Sequence, residues 1–83
     1  MLVDDNLMEL NSGAGSNAND SGIIIERGST GDNALFIWDE SEDLFNFITT
    51  TDTGVVSGNI NVTAQADIKA GNITSTGNIT LTG

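Results

Sequence analysis

Short apolar runs, separated by turn-forming residues, occupy the middle of the chain. Residues 23–25, 34–38 and 44–49 are rich in β-branched and aromatic side chains, which favour strands over helices. Gly, Ser, Asn and Asp separate these runs at residues 28–33 and 39–43, and all four residue types close turns readily. The pattern predicts three short strands joined by two turns, the last two strands forming a hairpin around a five-residue acidic loop.

These predicted strands are apolar on both faces. Three adjacent Ile residues at 23–25 point alternately to the two sides of a strand, and residues 34–38 repeat that two-sided character. Phe45 and Phe47 share one face, and we expect Trp38 to pack against one of them across the hairpin. A chain of 83 residues has little else to cover two apolar faces, so a neighbouring copy is expected to cover part of them.

Strict alternation of apolar and polar residues begins after Gly58. The apolar positions are Ile60, Val62, Ala64, Ala66, Ile68 and Ala70. A period of two residues predicts a strand with one buried face, and the switch of phase at Gly71 predicts a bulge or turn at residues 70–72. The triplet Gly-Asn-Ile starts at Gly58, Gly71 and Gly77, an echo typical of solenoids and intertwined fibres. We expect such repeats to continue beyond residue 83.

The first 21 residues have a less regular pattern. Val3, Leu7 and Leu10 fit helical spacing, but the run is too short for an isolated helix, and a short strand is the interpretation we favour. Residues 12–21 form a polar loop rich in Gly, Ser and Asn. The chain therefore divides into a lead-in strand and flexible loop (1–21), a β-hairpin block (22–53) and a repeat segment (54–83).

The chain is strongly acidic, with twelve Asp or Glu residues against Arg27 and Lys69 and a net charge of −10. Nucleic acids and anionic membrane surfaces attract Lys and Arg, so neither is an expected partner. Without Cys or His, the chain has no disulfide and no soft-ligand metal site to support a small core. Association of several copies is then the expected source of stability, and we predict an obligate oligomer.

The sequence suggests neither a targeting signal nor a membrane segment. Residues 1–5 lack the basic start and the apolar run of a signal peptide. No stretch approaches the ~20 apolar residues that a membrane span needs. We expect synthesis in a cytoplasm, without an encoded export signal.

One acidic motif superficially matches the start of a calcium-binding loop. Asp39, Ser41 and Asp43 stand at alternate positions, as the first ligands of such a loop do. Leu44 occupies the position that requires Gly, and Thr50 the position of the closing bidentate acid. We therefore interpret these residues as a solvated hairpin turn, with weak adventitious Ca²⁺ binding as the alternative.

No catalytic site is predicted. The chain lacks His, Cys and Tyr, and Lys69 stands on the polar side of the alternating stretch. Glu40 and Glu42 lie in an exposed, highly charged turn, where the raised pKa of a catalytic acid is not expected. Residues 28–31 lack the Lys and the spacing of a phosphate-binding loop. We expect neither enzymatic activity nor a cofactor.

Arg27 and Trp38 each allow two interpretations. Arg27 and the adjacent Glu26 point to opposite faces of a strand, so Arg27 is expected to meet an acid across a strand or subunit boundary. Trp38 has the chemistry to stack on a glycan. Its neighbours Phe36 and Ile37 favour a place in a core or in an interface between chains.

Three stretches of the sequence carry a family resemblance: DNLMELN at residues 5–11, DSGIIIERG at 20–28 and ALFIWDESED at 34–43. Together they resemble a unit common in phage tail-fibre and virion structural proteins, most closely those of tailed phages that infect marine cyanobacteria. In that family a strand of the form sGIxIxRG precedes a hairpin of the form xxLxWDExxDxF, often followed by repeats rich in Thr, Gly and Asn. The resemblance covers residues 5–53 by motif and the later repeats by style.

The resemblance implies an all-β fold, with short antiparallel strands and hairpins in an intertwined homotrimeric fibre, followed by a repetitive β-helix-like or β-prism-like segment. It implies a structural component of a phage tail fibre, assembled in the host cytoplasm, that attaches to other tail or baseplate proteins and supports host-surface adhesion. A more distal part would contact a host glycan, and no receptor-binding residue carries over. A small glycan-binding adhesion module and a capsid or tail decoration protein are the alternatives.

The apolar residues of the predicted strands define the expected interface between chains. We expect it to contain Ile23, Ile25, Phe36, Trp38, Phe45, Phe47, Ile60, Val62 and Ile68.

Overall fold

The computed structural model describes all 83 residues and contains a single open β-sheet and no helix. Four antiparallel strands lie in the sheet in chain order. The structure has no helix with the length and apolar character needed to cross a membrane. The strands are β1 (Ser21–Ile25), β2 (Asn33–Asp39), β3 (Leu44–Thr50) and β4 (Ala64–Gln65). The predicted all-β class is confirmed, as are the three central strands and the turns between them.

The hairpin between β2 and β3 is the best-paired part of the sheet. Its register runs from Asn33 opposite Thr50 to Asp39 opposite Leu44. Asp39 is thus the last residue of β2, and the acidic loop has four residues, 40–43, where the sequence predicted five. The main-chain NH of Asp43 donates to the Asp39 carbonyl at 2.9 Å, and a positive φ of 56° at Asp43 closes the turn.

One face of the sheet carries the small core. Leu35, Ile37 and Ile48 are buried there, and Ile24 and Ile60 pack against them. Ile60 belongs to the irregular segment between β3 and β4, which covers this face in place of a second sheet. The core of the single chain is therefore confined to one side of a thin sheet.

Asp20 ties that covering segment to the sheet. Its carboxylate accepts the main-chain NH of Glu40 at 2.8 Å and that of Ile60 at 2.8 Å. Its own NH donates to the Gly58 carbonyl at 3.0 Å. Charge-assisted hydrogen bonds of this kind are stronger than neutral ones, so Asp20 joins the hairpin and the covering segment at one point.

Gly22 lies where β1 passes closest to β2. It stands opposite Ile37, and a side chain on Gly22 would meet the Phe36 carbonyl oxygen and lie 2.7 Å from the Ile37 Cα. These are main-chain atoms of a central strand, which cannot move aside as a flexible side chain can. Only glycine fits this position without displacing β1.

Gly22→Ala is expected to lower the free energy of unfolding by about 1–3 kcal/mol, because the new methyl group pushes β1 away from β2. Chemical denaturation followed by Trp fluorescence measures this loss. Gly15→Ala is the matched control, since a methyl group there meets nothing within 4 Å and should leave stability unchanged. Equal denaturation midpoints for the two variants would contradict the close approach.

The structure differs from the prediction in the alternating stretch and at the N-terminus. Only Ala64–Gln65 of the alternating stretch forms a strand. Residues 66–83 and 1–20 contain no strand or helix, so the predicted lead-in strand does not form in this chain. At residues 70–72, where a bulge or turn was predicted, the structure has a bend at Gly71. The main-chain NH groups of Ile60 and Asn61 donate to the carboxylates of Asp20 and Asp52, and these bonds hold the first part of the stretch over the core instead.

The single chain exposes much more surface than a folded monomer of its mass. Its accessible surface is 7014 Å², against about 4,700 Å² expected for a monomeric protein of this mass. Its radius of gyration is 14.6 Å, against about 12 Å for a compact domain of this length. The chain therefore leaves uncovered much of the surface that a globular protein buries.

Candidate oligomer interface

The face of the sheet opposite the core carries no charged side chain. Strand register and the alternation of side chains assign its members. We call it the aromatic face, formed by Ser21, Ile23, Ile25, Ala34, Phe36, Trp38, Phe45, Phe47, Thr49 and Ala64. The chain carries twelve acids and two bases, and all of them lie elsewhere.

Four aromatic rings form a cluster on this face. Phe36 stacks on Phe45 with ring centroids 5.4 Å apart, and it lies 4.8 Å from Phe47. Trp38 meets Phe45 edge to face at 5.0 Å. The predicted contact of Trp38 across the hairpin is thereby confirmed, with Phe45 as its partner.

The register of the hairpin explains why the rings meet. Phe36 lies directly opposite Phe47, and Trp38 lies directly opposite Phe45. Cross-strand pairs of aromatic side chains stabilise a sheet, so this cluster supports the hairpin even without further cover. Its outer surface stays open, because 65% of Phe45 remains exposed to solvent.

Trp38 is held at the rim of the face through Glu40. The indole Nε1–H donates to Glu40 Oε2 at 3.0 Å, and Asn17 Nδ2 donates to Glu40 Oε1 at 3.0 Å. The polar edge of the ring therefore has its partner within the chain, and the half-buried ring lies against Phe45. The hydrogen bond to Glu40 and the contact with Phe45 together fix the orientation of the indole ring.

Six of the nine predicted interface residues lie together on the aromatic face, namely Ile23, Ile25, Phe36, Trp38, Phe45 and Phe47. Ile60 lies on the opposite side, against the core. Val62 and Ile68 lie in irregular segments on either side of β4, and both are exposed. Sequence reasoning missed Ala34, Thr49 and Ala64, which strand alternation would have placed on this face.

Two clefts border the sheet. One, of about 270 Å³, lies at the rim of the aromatic face and is lined by Met8 and Leu10 together with Ile23, Trp38 and Phe45 among others. The other, of about 260 Å³, opens on the core side, where the covering segment leaves Ile24 and neighbouring residues accessible. Both lie where the N-terminal segment or the covering segment meets the sheet.

Asp39 organises the hairpin turn. Its Oδ1 accepts the Ser41 hydroxyl at 2.8 Å and the Glu42 main-chain NH at 3.2 Å, and its Oδ2 accepts Asn46 Nδ2 at 3.3 Å. Asp39 is only 6% exposed, so the expected solvated turn is solvated at its tip and buried at its base. No cluster of three acids that could hold a metal ion is present in the structure.

The pKa of Asp39 is lowered from its ordinary value of 3.8, mainly by the hydrogen bond from Ser41, with burial opposing and the bonds from Glu42 and Asn46 adding to the shift. A depressed folded-state pKa adds stability that is complete above the unfolded pKa and is lost as pH falls through the folded pKa. Ionised Asp39 therefore stabilises the turn at neutral pH and loses this effect below about pH 4.

Ser41→Ala is expected to raise the pKa of Asp39 towards its ordinary value, because the variant removes the largest cause of the shift. An NMR titration of the Asp39 carboxyl carbon measures the change. Ser12→Ala, in the exposed N-terminal loop, is the control and should leave the titration unchanged. An unaltered Asp39 titration in Ser41→Ala would contradict the assigned cause.

Arg27 closes the first turn through main-chain groups. Its guanidinium donates to the Asp32 carbonyl oxygen at 3.1 Å, and its NH donates to Asn33 Oδ1 at 3.3 Å. Within the chain, the expected carboxylate partner is replaced by this carbonyl group. Arg27 thus holds the ends of the loop between β1 and β2 together.

Comparisons of the chain with known protein families, curated proteins and solved structures find no match. Function is therefore proposed from the chain's own residues. The aromatic face and the excess of exposed surface are the features that bear on it most directly.

Proposed function

We propose that the chain is a structural component of a phage virion, part of a homotrimeric tail fibre whose copies associate through the aromatic face. The observation that carries the proposed association is the absence of charge from that face in a chain of net charge −10. Large uncharged apolar patches on soluble proteins mark interaction sites. A like face on a second copy would cover it without burying an unpaired charge.

The size of the face supports association between copies. Its exposed aromatic and Ile side chains present on the order of 500 Å² per chain, given ~150–250 Å² for a whole aromatic side chain. A standard interface covers about 800 Å² per partner. The aromatic face is thus large enough to form the centre of an interface, and further segments must contribute its remainder.

The composition of the repeat segment and the family resemblance support the fibre role. Residues 54–83 contain no Pro, which would interrupt a continuous strand ladder, and repeat the Gly-Asn-Ile triplet. The motifs at residues 20–28 and 34–43 resemble those of tail-fibre proteins. A trimeric rod of this kind attaches to tail or baseplate proteins and presents several adhesive tips at once, which turns weak host contacts into avidity.

Sedimentation equilibrium of the whole chain tests the proposal. The expected mass is three times that of the 8.6 kDa chain, and electron microscopy is expected to show rods. A well-folded, stable monomer would overturn the proposal, and a closed dimer would overturn the trimer.

Trp38→Ala separates the fibre from a glycan-binding module. We expect the variant to lose assembly, because Trp38 covers Phe45 at the rim of the aromatic face. Phe45→Asp, described below, is the companion variant that leaves Trp38 in place. An intact oligomer of Trp38→Ala that has lost binding to a glycan array would favour the module instead.

A further inference from the structure

Most of β3 has no partner strand on its outer edge. Of its seven residues, only Ile48 and Thr49 pair with β4, and the last contact is the Ala66 NH donating to the Phe47 carbonyl at 2.9 Å. In an antiparallel ladder every second residue directs its NH and C=O to the same side. The main-chain NH and C=O of Phe45 therefore point to this open edge, as the same groups of Phe47 and Thr49 do.

A segment with the pattern of a strand begins directly beside this open edge. Residues 66–70 continue the strict alternation of apolar and polar positions, and neither Pro nor Gly interrupts it before Gly71. In the structure β4 nevertheless ends at Gln65. An unpaired strand pattern thus begins next to an unpaired strand edge, and no turn separates this segment from the paired residues.

Extending the observed register places each residue of this segment. The pairs Ile48–Gln65 and Thr49–Ala64 continue as Phe45 opposite Ile68 and Leu44 opposite Lys69. Ile68, which is 61% exposed, would then lie on the aromatic face beside Phe45.

The same register places the only Lys of the chain favourably. Leu44 directly follows the acidic turn that contains Glu42 and Asp43, so Lys69 would lie beside opposite charges. A slip of one residue would put Lys69 onto the aromatic face, since side chains alternate between faces. The charge pattern therefore favours this register over its nearest competitor.

We propose that the free edge of β3 is a strand-pairing site for residues 66–70 of the same chain, and that this pairing accompanies assembly. The inference rests on the proposed association through the aromatic face. In a single chain the pairing leaves Ile68 on an open face, whereas a neighbouring copy covers it together with Phe45. The lengthened strand supplies part of the interface area that the aromatic face lacks.

A disulfide tests the register, because the chain has no native Cys. Residues directly opposite in an antiparallel pair have Cα atoms ~4.5–5.5 Å apart, within the range for a disulfide. In assembled protein, Leu44→Cys/Lys69→Cys is expected to form an intrachain disulfide at least about tenfold faster than Leu44→Cys/Gly71→Cys. The control pair shares the first Cys and is out of register by two residues, ~7 Å along the strand.

Amide hydrogen exchange tests the same pairing in the unaltered protein. The register makes Phe45 and Ile68 a hydrogen-bonded pair, so each donates its NH to the other's carbonyl. Both amides are expected to exchange at least about tenfold more slowly in the assembly than the amide of Ile73, which lies beyond the paired segment.

Each result decides between the two proposals. An interchain disulfide would overturn pairing within the chain. Equal crosslinking of the two Cys pairs, with a freely exchanging Ile68 amide in a trimer, would overturn the pairing and leave the trimer intact. A monomeric protein would overturn the proposed function, and a protected Ile68 amide in that monomer would still support pairing while refuting its link to assembly.

Discussion

Phe45→Asp is expected to convert the assembled protein into separate chains. Phe45 contacts both Phe36 and Trp38 at the centre of the aromatic face, yet 65% of it is exposed in the single chain. A carboxylate there stays hydrated in a monomer but is buried without a partner in an interface, which costs several kcal/mol. Association should weaken roughly a thousandfold, and sedimentation velocity measures the loss of the larger species.

Val55→Asp is the matched control for this variant. It introduces the same charge on a side chain that is 91% exposed and lies in the segment between β3 and β4, outside the aromatic face. Sedimentation of this variant should match that of the unaltered protein. Equal sedimentation of the Phe45 and Val55 variants would refute the aromatic face as the interface.

Ile48→Ala is expected to unfold the chain or reduce its stability severely. Ile48 is completely buried and is one of only three residues that form the core. Removing a buried Ile side chain costs about 2–5 kcal/mol, and domains of this size have a total stability of roughly 4–12 kcal/mol. Circular dichroism during urea denaturation should show a much lower midpoint.

Ile79→Ala makes the same chemical change at an exposed position outside the sheet. Its denaturation midpoint should stay close to that of the unaltered chain. A small effect of Ile48→Ala, comparable with that of Ile79→Ala, would mean that the core contributes little and that interchain contacts hold the fold alone.

The parts of the fold that local chemistry determines were predictable from the sequence. The strands β1 to β3 follow from β-branched and aromatic runs, and the turns follow from the Gly, Asn and Asp residues between them. Once the hairpin was recognised, simple alternation placed Phe45 and Phe47 on one face of β3, and it placed Trp38 on the same face of the neighbouring strand.

The parts that depend on distant hydrogen bonds were not predictable. Ile60 fits an alternating strand as well as any of its neighbours, but the Asp20 carboxylate, 40 residues earlier, binds its main-chain NH and holds it over the core. The Asp52 carboxylate likewise accepts a hydrogen bond from the main-chain NH of Asn61. A period of two residues describes which side chains can share a face and carries no information about whether a partner strand is present.

The absence of charge from the aromatic face means that the net charge of the chain affects the association rate of copies far more than their dissociation rate. Chains of net charge −10 repel one another as they approach, over a Debye length of ~10 Å at 0.1 M salt. Once the uncharged faces touch, no like charges oppose each other across the contact. Added salt is therefore expected to speed the association of copies markedly while leaving their dissociation nearly unchanged.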